Sequence, residues 1–284
     1  PIAAIGVMLP VGSSHDPAGK EGLVNLMLNS LTDKMGDKGN NLITRSGGKF
    51  VIKSYKFHSE ILFEFPKKYS NEAIKLVLSL LRESVSDEKK LFEYCKRGII
   101  SGIKKKLEAP RNRSVIEFHS KLFHGTQLSH PIHGWQSTLE RITLEDIREF
   151  YGRKINGVSG IFLFGDLPKG SEKRFEDIPF EPVSKGSIKE AYSSISPLVG
   201  FHDKSGSSKK IYYSMGYPLN FSRIDFGNDI PAFKVADAIY QYFIRTIIRY
   251  EKGYSVAASS LEFLLRDFSF LTCRIDCMRE DLDS

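Results

Sequence analysis

The order of predicted secondary-structure elements repeats along the chain, and this repeat is the feature that most restricts its fold. A strand at residues 1–9 is followed by a turn-rich loop, a helix and two further strands. The same order recurs from residue 209 onward, and the sequence reaches Ser284 before the second set matches the first in length. We therefore predict an α+β protein of two tandem homologous domains, each an antiparallel-rich sheet with helices packed on one face, the second of them incomplete.

The boundary between the two domains is predicted from a change in composition. Residues 180–197, FEPVSKGSIKEAYSSISP, are poor in large aliphatic side chains and rich in Ser, Pro and charge, as is typical of an extended linker. We predict a first domain at 1–180, a linker at 181–197 and a second domain at 198–284. The length of 284 residues also exceeds that at which a single core usually keeps growing.

Within the first domain, apolar periodicity predicts several helices and a closing strand. The segment VSGIFLFGDLP, residues 158–168, is a run of apolar residues that predicts a buried strand. Pro110 is expected to close the longest helix. The predicted helices other than the one at residues 21–31 lie at 71–85, 87–109, 112–123 and 143–151.

Composition excludes several classes of function. The net charge of +7 comes mostly from scattered lysines, with one compact run at Lys104, Lys105 and Lys106. No aromatic-and-basic motif accompanies this charge, so nucleic-acid binding is not expected. No run of about 18 apolar residues occurs, so no membrane span is expected. The three cysteines, Cys95, Cys273 and Cys277, form no even disulfide framework.

The helix at residues 21–31, EGLVNLMLNSL, carries a spacing typical of metal sites without the chemistry of one. Leu23, Leu26, Met27 and Leu31 recur at helical steps, which predicts an amphipathic helix. Asn25, Leu28 and Asn29 stand at i, i+3 and i+4, the spacing at which a helix can aim two metal ligands and a general base at one point. A carboxamide is a weak zinc donor and a leucine cannot accept a proton. The alternative interpretation is that the two asparagines are solvated residues on the outer side of an ordinary helix.

Several segments in order resemble the pitrilysin/insulinase family of inverted zincins, zinc peptidases built from homologous α+β domains. GSSHDPAGKEGLVNLMLNSL, residues 12–31, is similar to the entry segment and H-x-x-E-H helix of that family. By this resemblance Asn25 and Asn29 stand where the zinc-binding histidines belong, and Leu28 where the catalytic base belongs. The third zinc ligand of the family, a glutamate on a later helix, corresponds to Gly102, and an accompanying acidic residue corresponds to a position near Cys95.

Two further segments extend the resemblance. LSHPIHGWQSTLERITLEDIREFYGRKI and GIFLFGDL are similar to a His-Pro-x-x-Gly turn, an acidic helix and a closing Gly-Asp strand of the family. IIRYEKGYSV resembles the family's Arg-and-Tyr segment, whose two side chains bind the substrate main chain. The corresponding residues are Arg249 and Tyr254. The segment is about two residues shorter than the family pattern, and the Gly-rich loop that usually precedes it is missing.

The resemblance implies a catalytically inactive subunit that has no zinc of its own. Many family members act as pairs, in which one subunit carries the zinc helix and the other a degenerate helix plus the Arg-and-Tyr segment. The expected partner is a zinc-bearing homologue, or else a second copy of the chain, and the expected ligand is an extended peptide. The alternative to substrate binding is that Arg249 is only a cation at the end of a helix and Tyr254 only an aromatic residue packed in a loop.

Two other functions remain open on the sequence. The same fold can act as a structural scaffold in a larger assembly without binding peptide. The histidines His119, His124, His130 and His133 lie within 15 residues of one another, which is enough to supply three imidazole ligands to zinc. An active peptidase that uses this cluster is therefore the third hypothesis.

Overall fold

The chain folds into two compact units, each with its own antiparallel sheet. The computed structural model describes residues 1–82, 89–154, 157–182, 199–202, 210–220, 229–253, 255–265 and 268–278. The first unit comprises Pro1–Ile103 and Pro131–Gly186, and the second comprises Lys104–His130 and Ser187–Ser284. Most of the predicted linker at 181–197 lies outside the described residues, so that boundary stays a prediction.

The sheet of the first unit has four strands in the order β2-β3-β1-β4, and every neighbouring pair is antiparallel. Alternate residues of β1 and β3 are buried, for example Ile5 and Val7, which pair with Phe63 and Ile61. This period of two is the burial pattern of strands with one face against a core. The strands are β1 (Ile2–Leu9), β2 (Lys49–Ser54), β3 (Ser59–Pro66) and β4 (Gly160–Gly165).

Helices cover the buried face of this sheet. The helices of this part of the chain are α1 (Leu23–Lys34), α2 (Gly36–Ser46), α3 (Ser70–Arg82), α4 (Lys89–Glu108), α6 (Gln136–Leu139) and α7 (Leu144–Lys154). Helix α3 packs on β1 and β3, and α1 packs on β2 and α7. Among the helices in the described ranges, none has the length and apolarity needed to cross a bilayer.

The predicted buried strand at 158–168 differs from the structure in its environment. The strand exists as β4, but it is one of the two edge strands of the sheet and pairs only with β1 there. Phe162 and Phe164 are 46% and 58% exposed, and their rings stack with centroids 6.4 Å apart. The prediction of burial was wrong because an apolar run is common to buried and edge strands, and periodicity does not separate them.

The second unit repeats the arrangement of three strands of the first, but its fourth strand comes before the other three in the chain, whereas β4 comes after them. Its sheet has the order β5-β6-β8-β7, again entirely antiparallel. Helix α5 (Pro110–Leu122) packs on β5 and β6, and helix α8 (Asp229–Ile244) packs on β7. A π-helix at Arg245–Glu251 continues α8. The strands are β5 (Val199–His202), β6 (Lys210–Asn220), β7 (Ser255–Leu265) and β8 (Phe268–Met278). The predicted α+β class, with an antiparallel sheet and helices in each half, is confirmed.

Candidate functional site

Helix α1 is fixed at its start by a buried aspartate. The Asp16 carboxylate, 2% exposed, accepts hydrogen bonds from the backbone N–H groups of Gly22 at 2.7 Å and Val24 at 2.8 Å. These N–H groups lie at the start of the helix, where no intrahelical acceptor is present. Asp16 therefore has the role of an N-cap. The sequence did not indicate this role. An N-cap residue normally stands directly before its helix, whereas a turn separates Asp16 from α1.

Lys56 is the charged neighbour of this carboxylate. The backbone N–H groups of Ser13 and Ser14 donate to the carbonyls of Tyr55 and Lys56 at 2.8 and 2.7 Å, which holds the loop before α1 against the turn between β2 and β3. Burial raises the pKa of Asp16 to about 7, against the opposing effects of its two backbone hydrogen bonds and of Lys56. Burial lowers the pKa of Lys56 to about 8, against the opposing charge of Asp16.

A His-Pro-x-x-Gly turn packs directly against the residues that lead into α1. Gly134 has φ +73°, and a Cβ built on it would lie 1.9 Å from the carbonyl oxygen of Glu21. A Cβ on Gly22 would lie 2.5 Å from the carbonyl oxygen of His133. The Thr138 hydroxyl donates to the Glu21 carbonyl at 2.7 Å. The two backbones therefore approach more closely than any residue other than glycine allows, and this turn has a structural role.

The three positions that resemble the zinc motif lie together on α1. Asn25 is buried at 8% exposure, Leu28 is buried in the core at 1%, and Asn29 is exposed. The Asn29 side-chain amide donates to the backbone carbonyl of Asn25 at 2.7 Å. The alternative of two solvated asparagines is therefore wrong for Asn25. The prediction of an amphipathic helix also needs correction, because α1 is buried on nearly every side.

These residues do not fit a zinc ion. Two carboxamides and a hydrocarbon provide neither a strong zinc donor nor a proton acceptor. Gly102, on α4, provides no side chain, although a Cβ built there meets no atom within 4 Å. A longer side chain would therefore have room at this position. Cys95, two turns earlier on the same helix, is buried.

The predicted substrate-binding pair is only half described. Arg249 lies in the π-helix Arg245–Glu251 of the second unit and is exposed. Tyr254 lies outside the described residues. Gly253, with φ +76°, follows Lys252, the residue that caps the end of the π-helix. No sequence pattern predicted the π-helix, because a change of hydrogen-bond register has no side-chain signature of its own.

The four histidines do not form a metal centre. All four are described, and in the described part of the chain no group of three His, Cys, Asp or Glu side chains is placed to hold a metal ion. His119 lies beside the rings of Phe118 and Phe123, with centroid distances of 5.6 and 6.3 Å, and His130 is buried. The hypothesis of a peptidase that uses these imidazoles has no support in this geometry.

Neither a protein-family model nor a curated protein matches the sequence. Solved structures match its fold. The inactive domain of a peptidase M16 from Pseudomonas fluorescens has a TM-score of 0.76 and 15% sequence identity, over 99% of this chain and 70% of that one. A chain of complex III from Candida albicans has a TM-score of 0.72 and 14% identity, over 98% of this chain and 67% of that one.

Pitrilysin matches with a TM-score of 0.69 and 12% identity, over 99% of this chain and 32% of that one. At these identities the matches establish the fold alone, and the resemblance found in the sequence is confirmed at that level. The chain has the fold of the M16 peptidases, the structural family of pitrilysin.

Proposed function

We propose that this chain is a non-catalytic homologue of the M16 peptidases. The observation that carries the proposal is helix α1, which has Asn25, Leu28 and Asn29 at the three positions that resemble the zinc-binding motif. No proton acceptor and no strong zinc donor is present among these side chains. The match to a structure named as an inactive M16 domain supports the same conclusion. We expect no peptide hydrolysis by this chain alone.

The chain acts, in this proposal, by pairing with a zinc-bearing homologue. The partner supplies the zinc ion and the general base, and this chain closes one wall of a peptide chamber. Arg249 and Tyr254 hold the main chain of an extended peptide. The exposure of Arg249 supports this role, because an accessible guanidinium can donate two parallel hydrogen bonds to carbonyl or carboxylate oxygens. A free sheet edge in such a chamber can add the peptide as a further strand.

Peptide affinity tests the role of Arg249. We expect Arg249→Ala to weaken the binding of an extended peptide by about 10- to 100-fold, the loss of one or two charge-assisted hydrogen bonds. The matched control is Arg245→Ala, because Arg245 is an exposed arginine at the other end of the same π-helix. Fluorescence anisotropy with a labelled peptide, in the presence of the homologue, gives both dissociation constants. Equal affinities for the wild type and Arg249→Ala would rule out the peptide-holding role.

A scaffold subunit without peptide binding is the second candidate. The match to a chain of complex III favours it, since that chain is part of a larger assembly. In this case the chain associates stably with other proteins and neither arginine variant changes any peptide affinity. The anisotropy experiment therefore separates the two candidates.

A further inference from the structure

A cavity of about 290 Å³ lies inside the first unit, between the sheet and the last turns of α1, α3 and α7. The described residues that line it all belong to this unit, and they include none of the three zinc-like positions of α1. Folded cores leave few voids larger than a water molecule. A cavity of this size is therefore a candidate site for a small molecule, separate from the site described above.

The lining changes from apolar to charged between the floor of the cavity and its rim. Half-buried side chains, Leu81, Tyr151 and Ile178, form the middle, and the rim is the pair Arg82 and Asp177, whose side chains are 48% and 63% exposed. Such a lining fits a small molecule with an apolar group and a charged head better than it fits water. The floor consists of five residues that are at most 4% exposed, Leu9, Leu31, Ile61, Leu80 and Val158.

Backbone hydrogen bonds hold the wall of the cavity that follows β4. The N–H group of Val158 donates to the Pro179 carbonyl at 2.9 Å, and that of Ile178 donates to the Phe175 carbonyl at 3.0 Å. The ion pair between Arg82 and Asp177 joins this wall to the end of α3. The cavity is therefore formed before any ligand enters it, as is usual for small-molecule sites.

The rim places one positive and one negative group side by side. Arg82 donates from Nη2 to both carboxylate oxygens of Asp177 at 2.8 Å. A guanidinium has five N–H donors and each carboxylate oxygen has two lone pairs, so the pair can stay intact while each member binds a further group. A ligand carboxylate on Arg82 and a ligand ammonium on Asp177 would both be complementary, whereas a ligand with one charge would also meet a like charge.

The volume of the cavity limits the size of the ligand. An apolar cavity of about 150 Å³ holds a benzene molecule, so a cavity of about 290 Å³ has room for roughly twice as many non-hydrogen atoms. An amino acid with one apolar side chain, such as leucine or phenylalanine, is of this size and carries its two charges at one end. A peptide end carries only one of these charges.

We propose that this cavity binds a free apolar α-amino acid. Its side chain lies on the buried floor, its carboxylate binds Arg82 and its ammonium group binds Asp177. The site does not depend on the proposed function, because it lies outside the α1 positions and the Arg249 segment on which that function rests.

Isothermal titration calorimetry of the chain with phenylalanine and two analogues tests the ligand class. We expect a dissociation constant of about 0.1–1 mM for phenylalanine, as befits a ligand of this size. The analogues are 3-phenylpropanoate, which lacks the ammonium group, and 2-phenylethylamine, which lacks the carboxylate. Each is expected to bind at least about 10-fold more weakly, because it loses charge-assisted hydrogen bonds. An analogue that binds as tightly as phenylalanine, or no binding of phenylalanine at millimolar concentration, would overturn the proposal.

Two variants test the location of the site. Arg82→Gln is expected to weaken phenylalanine binding by about 10- to 100-fold. The matched control is Arg45→Gln, because Arg45 is also an exposed arginine paired with a carboxylate, that of Glu72, but does not line the cavity. Ile178→Trp is expected to abolish binding, since the larger ring occupies the cavity. Circular dichroism establishes that the variants are folded, and Arg82→Gln at the exposed rim decides the matter if Ile178→Trp is not. Unchanged affinity in Arg82→Gln would overturn the proposal.

Discussion

Two residues that contact the segment leading into α1 have no part in the zinc motif. Asp16 is buried beside Lys56 and holds the start of α1, and Gly134 allows another turn to approach the same segment. The contribution of each residue can be tested by a substitution. Replacing Asp16 tests the effect of its shifted pKa on stability, and replacing Gly134 tests the effect of its backbone contact.

The raised pKa of Asp16 predicts a pH-dependent stability. Its pKa is about 7 in the folded chain, against an ordinary value of 3.8, so the folded state binds the proton more tightly. The stabilisation from this proton is complete below pH 3.8 and is lost as the pH rises through 7. Lys56, whose pKa is lowered only to about 8, remains protonated in both states over most of this interval.

Asp16→Asn removes this titration. We expect the free energy of unfolding of the wild type, measured relative to the variant, to fall by about 1 kcal/mol per pH unit between about pH 4 and 7. Urea denaturation at several pH values measures it, with Asp37→Asn as the control for removing an exposed carboxylate. A difference that is constant or rises over this interval would show that Asp16 stays ionised in the folded chain.

Gly134→Ala is expected to destabilise the chain by about 2–5 kcal/mol, from the positive φ and the contact with the Glu21 carbonyl together. Gly170→Ala is the control, because Gly170 also has a positive φ, +82°, but a Cβ there meets no atom within 4 Å. We expect this control to lose only about 1–2 kcal/mol. Equal losses in the two variants, measured by urea denaturation, would show that the backbone contact has no energetic effect.

At the scale of secondary structure, α1 carries the functional interpretation. Its side chains cannot hold zinc, yet Asn25 and Asn29 keep the one-turn spacing of a ligand pair, and Gly102 leaves open space where a third ligand would lie by resemblance. If α1 is a degenerate zinc helix, restoring the ligands should restore the metal site.

We therefore predict that the variant Asn25→His/Asn29→His/Gly102→Glu retains one zinc ion per chain after dialysis, because two imidazoles and a carboxylate form a standard zinc ligand set. Leu28 is left unchanged, since a glutamate at that buried position would place a carboxylate in the core. The double variant without Gly102→Glu is the control and is expected to bind zinc more weakly. Zinc content is measured by atomic absorption. A folded triple variant with no more zinc than the wild type would show that Gly102 and α1 do not face a common site.

The sequence predicted the elements whose periodicity is strong. Strands β1 and β3 alternate between buried and half-buried residues, and Pro110 follows α4 as expected. Helix α2, by contrast, was missed, because GDKGNNLITRS is rich in Gly and Asn, which are poor helix formers. The burial of α1 on nearly every side was also missed, because it depends on α7, a helix more than 100 residues away in the sequence.

At the scale of the whole molecule, one arrangement of three strands occurs twice. Strands β6, β7 and β8 take the positions of β1, β2 and β3 in their sheet, which agrees with the repeat in the sequence, whereas the fourth strand follows the other three in the first sheet and precedes them in the second. The candidate site could be predicted only in part: resemblance supplied the positions on α1 and α4, whereas the Asp16 cap depends on a tertiary contact with no local signature. In the proposed function the chemistry lies in another chain, so under that proposal the role of this chain depends on its partner.

The most direct measurement of the central claim is the rate of peptide cleavage by a zinc-bearing homologue from the same source, with and without this chain. Cleavage per zinc ion is expected to rise as the chain is added, to level off at equimolar amounts, and to be zero for the chain alone. An unchanged rate, with no association between the two proteins, would contradict the proposal that this chain is the non-catalytic partner of a zinc peptidase.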